Sequence, residues 1–312
     1  MKPKVLVIAG PTASGKTKIS IELAKRLNGE IISADSMQIY KYMNIGTAKP
    51  TEEEKEGIPH YLMDFLEPDE KFSVAQYKEM ATKYIEEILS KNKVPIMVGG
   101  TGLYINSVTE EINFDTEIVE NKKIREKLEK ISLEQGNEGL YEELKRVDKD
   151  AANRIHLADT KRIIRALEVY KTTGITITEH QKMSKQIDKK YDYKIVGLKI
   201  EREKLYERIN KRVDLMVKDG LIEEAKEVLD MLSLKGHLTS FQAIGYKEFV
   251  PYFNGEITLE EALDTIKQES RRYAKRQITW FKRTNGLEWI DADRDVLKVV
   301  NEIIDFYNKE EE

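Results

Sequence analysis

With 312 residues the chain is long enough for one large domain or a core carrying a smaller unit, and an apolar fraction of 40% with only 7 prolines excludes a mostly disordered protein. Charge is dense but balanced: 52 Lys+Arg against 56 Asp+Glu give a formal net charge of -4, so no global basic field points to nucleic acid and any polyanion must be met locally. The absence of cysteine excludes disulfides, thiolate zinc sites and a cysteine nucleophile and fits a cytoplasmic protein, and 4 scattered histidines argue against a histidine metal cluster.

Residues 5–9, Val-Leu-Val-Ile-Ala, read as a buried strand rather than a signal peptide, because they run straight into a glycine loop. That loop, Gly10, Pro11, Thr12, Ala13, Ser14, Gly15, Lys16 and Thr17, matches G-x-x-x-x-G-K-[ST] in full and opens an amphipathic helix over residues 16–27. Glycines let backbone N–H groups curl around an anion, Lys16 adds a point charge, and the Thr17 hydroxyl can ligate Mg²⁺. A diphosphate or triphosphate group is expected there, and the motif leaves open which molecule carries it.

A second strand over residues 30–34 ends in Asp35, Ser36, Met37 and Gln38; a helix over residues 73–91 and a strand over 94–98 follow. This last strand ends in Gly99, Gly100, Thr101 and Gly102, where a nucleotide hydrolase would place a metal-holding aspartate. Strand ends in a doubly wound sheet converge on the ligand crevice, so the loop, Asp35 and Thr101 should face one site. Asp35 is then a base or a magnesium partner, or else a turn or helix-capping aspartate. The longest uncharged stretch, residues 94–109, is broken by three glycines, so no membrane span is expected.

Residues 115–190 change character to amphipathic helical patterns and carry 17 Lys+Arg against 15 Asp+Glu, which suits either a polyanion contact or a solvated helical lid. Two further strands are expected over residues 193–200 and 287–291, separated by helices with apolar stripes through Leu205, Ile209 and Met216 and through Ala274, Ile278 and Phe281. Between Arg271 and Arg283, six basic residues occur without an acid, the strongest local basic patch. The expected fold is therefore α/β: a P-loop core with a parallel sheet flanked by helices, from residues 1–114 and 191–312, plus a helical insertion at 115–190. A small-molecule or nucleoside kinase, or a non-catalytic RNA-binding protein, would also fit the loop taken alone.

Further along, Asn44, Ile45, Gly46, Thr47, Ala48, Lys49 and Pro50, then Gly57 to His60, Leu103 and Tyr104, Arg162 to Glu168, Ile244 to Glu248 and Tyr273 to Phe281 complete an ordered set of motifs. With the loop and the Asp35 segment, this set resembles the bacterial tRNA dimethylallyltransferases over nearly the whole chain. Leu157 and Ala158 replace that family's usual Pro-Asn, and Lys41 and Tyr42 its commoner Arg-Gly.

The resemblance implies transfer of a dimethylallyl group from dimethylallyl diphosphate to N6 of the adenine immediately 3′ of the anticodon in tRNA. It implies Mg²⁺ at Thr17 as cofactor and the tRNA anticodon stem-loop as partner, with the chain working as a cytoplasmic monomer. Asp35, Thr101, Lys16 and Arg212 become the catalytic set, and residues 10–17 the diphosphate site. Asp35, Ser36, Met37, Gln38, Thr101, Lys123, Asp159, Thr160, Lys161, Arg162 and Ile163 become the tRNA contacts. Arg208, one turn from Arg212, is equally suited to a surface ion pair.

Overall fold

The structure is a computed structural model that describes residues 2–110, 121–184, 189–232 and 239–309. In chain order the elements are β1 (Lys4–Ala9), α1 (Lys16–Leu27), β2 (Gly29–Ser33), α2 (Glu52–Lys55), β3 (His60–Tyr61), α3 (Val74–Ser90), β4 (Val94–Gly99) and α4 (Gly102–Thr109). A helical stretch follows: α5 (Lys122–Gln135), α6 (Glu138–Val147), α7 (Lys149–Arg154), α8 (Thr160–Thr173) and α9 (Ile177–Ser184). The chain then returns through β5 (Asp192–Lys199), α10 (Arg202–Lys218), α11 (Leu221–Leu232), α12 (Val250–Phe253), α13 (Leu259–Phe281), β6 (Leu287–Asp291) and α14 (Val296–Asn308). No described helix is long and apolar enough to cross a membrane.

The chain divides into two compact units, residues 1–108 with 190–312, and residues 109–189. In the first, six strands form one parallel sheet in the order β3-β2-β4-β1-β5-β6. Strands buried on both faces read as continuous apolar runs, which is why Val5 to Ala9 and Ile195 to Leu198 lack alternation. On one face Leu6, Ile8, Ile31 and Leu198 pack with Ile19, Leu23, Ile209 and Val299 from α1, α10 and α14. On the other, Val5, Val7, Ile32 and Met97 pack with Tyr77, Ile85 and Ile105 from α3 and α4. Each such fully buried side chain contributes about 1.5–3 kcal/mol against exposure.

Helix boundaries follow their caps. Ser73 and Gln76 form a capping box that starts α3, and Thr258 and Glu261 do the same for α13. The edge strand β3 was not expected from the sequence, because two residues are too few to show a period.

The second unit is helical and has its own core, with Leu128, Leu140, Leu144, Ile163, Ile164 and Leu167 buried together. Its expected start at Asp115 lies outside the described residues, as do residues 185–188 near its expected end. Asp148 caps α7 through Ala151 N at 2.9 Å and ties in α9 through the Thr178 hydroxyl at 2.7 Å.

Candidate active site

Three strand ends supply the site. Register aligns Ala9 of β1 with Gly99 of β4, and Val98 of β4 with Ser33 of β2, so the residues that follow leave the sheet at one level. Past the strands, Ala34 N donates to Val98 O at 2.7 Å and Thr101 N donates to Ala34 O at 3.0 Å, which carries the β2–β4 pairing up to Asp35 and Thr101.

At the end of β1 the loop takes a left-handed conformation at Ala13 (φ 62) and at Gly15 (φ 87), the residue that caps α1. Alternation of this kind turns successive N–H groups toward one point, and the cap residue has no side chain to fill it. The first turn of α1 contains no acidic residue, so the helix N-terminus keeps its positive end open to an anion. The Ser14 hydroxyl is buried without a hydrogen-bond partner among the described residues.

Lys16 Nζ donates to Gly10 O at 3.0 Å and Pro11 O at 2.7 Å, folding back over its own loop. Burial pushes its ammonium down from 10.5 to about 8, with Asp35 opposing the shift and Arg212 adding to it. Arg212, from α10, donates to Thr12 Oγ1 at 3.4 Å. Its neighbour Arg208 instead pairs with Asp293 at 2.8 Å, which assigns it to a surface ion pair.

Asp35 uses one oxygen structurally. Oδ1 accepts from Met37 N at 2.9 Å and Gln38 N at 3.3 Å, so the turn role anticipated as an alternative is real. Among the described residues, no hydrogen bond engages Oδ2. The same side chain can hence hold the turn and present a free carboxylate oxygen, with Lys16, Arg212, Tyr104 and Tyr273 within its electrostatic reach. Thr101 Oγ1 accepts from Ser36 N at 3.0 Å and donates to Ser36 Oγ at 3.2 Å, which locks Ser36 beside Asp35.

Gln38 also has a role inside the protein. Its amide Nε2 donates to Thr47 O at 3.2 Å and Ala48 O at 3.1 Å, so in this structure it anchors the 44–50 loop. Glu224 of α11 holds that loop from the far side, accepting from the N–H groups of Asn44, Ile45 and Gly46 and from the Tyr246 hydroxyl at 2.8 Å.

A family model described as IPP transferase matches residues 38–284. The chain belongs to the IPP transferase family. It is 54% identical to a tRNA dimethylallyltransferase of Acetivibrio thermocellus over 289 residues, 93% of this chain and 92% of that protein. It is 48% identical to the corresponding Halalkalibacterium halodurans protein over 309 residues, covering 98% and 97% of the two chains. The crystal structure of the Bacillus halodurans tRNA isopentenylpyrophosphate transferase superimposes with a TM-score of 0.72 at 45% identity, covering 98% of this chain and 97% of that one. A eukaryotic dimethylallyltransferase acting on tRNA gives a TM-score of 0.82 at 33% identity, covering 93% of this chain and 74% of that one. These relatives carry the transferase reading of the loop and lend nothing to the kinase alternative.

Within this IPP transferase, the remaining anticipated tRNA contacts lie in the helical unit. Lys123, Lys161 and Arg162 are exposed. Asp159 caps α8 through Arg162 N at 3.3 Å and pairs with Arg162 Nε at 3.4 Å, while the Thr160 hydroxyl accepts from Asn137 at 2.7 Å. Ile163 corrects the expectation: its side chain is 0% exposed in the helical core, so it packs and does not reach RNA. Glu168, buried in the same helical core, pairs with Arg125 at 3.2 Å and Arg165 at 3.1 Å.

On α13, the basic stretch is partly spoken for. Arg271 donates to Asn210 at 2.6 Å and Arg272 pairs with Glu269 at 2.6 Å, whereas Lys275, Arg276, Lys282 and Arg283 are exposed. Sequence reasoning passed over Gln277 on this helix. A polar residue between Ala274 and Phe281 on the buried stripe was the available signal, since a buried amide must have partners.

Proposed function

We propose that this chain transfers a dimethylallyl group from dimethylallyl diphosphate to N6 of the adenine immediately 3′ of the anticodon in tRNA, releasing diphosphate. The observation that carries this is the free oxygen of Asp35, set across the strand ends from Lys16 and Arg212, with no carboxylate at the end of β4. A base and an anion clamp stand together there.

In the transfer, the bond from the allylic carbon to the diphosphate oxygen breaks as the bond from N6 to that carbon forms. Loop N–H groups, Lys16 and Arg212 stabilise the charge gathering on the leaving diphosphate. The adenine amine is a weak nucleophile that becomes acidic as it bonds to carbon, so Asp35 Oδ2 takes its proton without needing a raised pKa. Thr101 and Ser36 orient the amine, and Met37 lies beside them. To reach the site the adenine leaves its stack, at a cost of a few kcal/mol recovered in the pocket.

Mg²⁺ fits the donor set. Thr17 is exposed at the first turn of α1, and a magnesium ion needs only such a hydroxyl, waters and substrate phosphate oxygens, not the carboxylate cluster that the described residues lack. When bound, it neutralises diphosphate charge. In this reading the protein works in the cytoplasm as a monomer. Release of diphosphate from dimethylallyl diphosphate and tRNA should run at the same rate with and without ATP; strict dependence on ATP hydrolysis overturns the reading.

Lys16 adds a pH signature. Because burial lowers its pKa to about 8, the free protein loses this positive charge as pH rises through 8, and the bound diphosphate favours the charged form. Donor binding should therefore take up a proton above pH 8, and affinity should fall by up to about tenfold per pH unit there. Calorimetry at pH 8.5 (about half a unit above this pKa) in two buffers of different ionisation enthalpy checks it. A buffer-independent heat removes the role.

The exposed Lys161 and Arg162 are read as phosphate ligands for the anticodon stem-loop, alongside Lys123 and the α13 cations. The double variant Lys161→Ala, Arg162→Ala should weaken tRNA binding and flatten its salt dependence by about one unit of log–log slope for each phosphate no longer neutralised. An unchanged slope with a lowered melting temperature would assign the pair to helix stability.

A further inference from the structure

Gln277 ties together the two halves of the site. It reaches from α13 to the strand ends, is 5% exposed, and bonds to backbone through each of its amide atoms: Oε1 accepts from Thr12 N at 2.9 Å, and Nε2 donates to Gly100 O at 3.0 Å. One partner lies in the phosphate loop and the other immediately precedes Thr101. The fit leaves no slack, because a Cβ at Gly100 would stand 2.1 Å from Gln277 Nε2. One turn back on the same helix, the Tyr273 hydroxyl lies within hydrogen-bonding reach of both Thr101 and Gln277.

We propose that Gln277 is a positioning residue that sets the separation between the diphosphate-holding loop and the Thr101–Asp35 wall that holds the acceptor amine. This rests on the transfer reading above and goes beyond it, since the amide of Gln277 is engaged by the backbone of the two walls, at Thr12 and Gly100. A bond between two substrates forms only when both are held within a few tenths of an ångström of the productive separation, and small displacements cost rate far more than affinity. Each half of the site has its own anchors, Lys16 and Arg212 for the loop and Ser36 for Thr101, so each half binds its substrate without Gln277. Their mutual spacing rests on the amide. β1 and β4 are adjacent strands, but their pairing ends at Ala9 and Gly99, below the reacting groups.

The test is Gln277→Met, which keeps length and removes both hydrogen bonds, measured beside the unaltered protein. Single-turnover transfer from dimethylallyl diphosphate to tRNA should fall about 10–100-fold, while the dissociation constants of the donor and of tRNA, measured separately, stay within about threefold. With the amine out of place, water should capture more of the allyl group: the carbon–oxygen bond to diphosphate still breaks, water adds to the carbon and loses a proton, and the ratio of dimethylallyl alcohol to modified tRNA rises. A merely structural role moves the melting temperature and not this ratio. Tyr273→Phe, which leaves the Gln277 bridge in place, should shift the ratio in the same direction by less.

An unchanged rate and ratio in the Met variant overturns the proposal. So does a loss of donor affinity as large as the loss of rate, which would make Gln277 part of the phosphate site. Failure of the unaltered protein to transfer at all rejects the transfer reading and is seen in the same experiment.

Discussion

Replacement of Asp35 by asparagine is expected to lower single-turnover transfer by roughly 10²–10⁴-fold while tRNA affinity stays within a few fold. Asparagine is the informative substitution because the carboxylate does two things. Oδ1 accepts from Met37 N and Gln38 N, and an amide oxygen can do the same, so the turn that presents Ser36, Met37 and Gln38 is kept. What disappears is the oxygen able to take a proton. Alanine would remove both roles and confuse a collapsed turn with a missing base. A rate for Asp35→Asn close to that of the unaltered protein would show that the proton goes elsewhere.

The second large effect is expected at Lys16. Its Nζ is held over the loop by two backbone carbonyls, Gly10 O at 3.0 Å and Pro11 O at 2.7 Å, and a diphosphate entering the loop exchanges these dipoles for full anionic charge. Loss of one preformed donor to developing charge costs about 10²–10³-fold in turnover. Since the same charge also attracts the ground-state diphosphate, Lys16→Ala should weaken donor binding at least about tenfold as well. The contrast with Asp35→Asn is diagnostic: donor dissociation constants measured in the absence of tRNA should rise for Lys16→Ala and not for Asp35→Asn. Equal donor affinity in both variants would remove Lys16 from the diphosphate site.

Much of this site could be read in the sequence because its parts sit in local motifs. The loop from Gly10 to Thr17 is contiguous and bounded by a strand and a helix, and Asp35 and Thr101 each follow an apolar run, so strand-end convergence brings them together without any knowledge of packing. The strands themselves were legible for the same reason: buried parallel strands such as 5–9 and 94–98 are short, β-branched and flanked by turns.

What stayed hidden depends on distance in the chain. Gln277 meets Thr12 across 265 positions and Gly100 across 177, and no periodicity reports such a pairing. Glu224 looks like any acid in the first turn of a helix until three N–H groups of the 44–46 segment are seen to converge on it. Gln38 and Ile163 show the same limit at close range. Both belong to stretches expected to meet tRNA, and within the protein the Gln38 amide holds Thr47 and Ala48 while the Ile163 side chain is buried in a helical core, details decided by side-chain direction rather than by position in a motif.

The most direct measurement of the central claim is mass analysis of tRNA after incubation with the protein, Mg²⁺ and dimethylallyl diphosphate, followed by nuclease mapping of the altered nucleotide. The account predicts a gain corresponding to one dimethylallyl group replacing one hydrogen, confined to the adenine immediately 3′ of the anticodon, with one diphosphate released per group transferred. Unmodified tRNA under conditions where the donor demonstrably occupies the loop, or a group placed on another nucleotide, would contradict it.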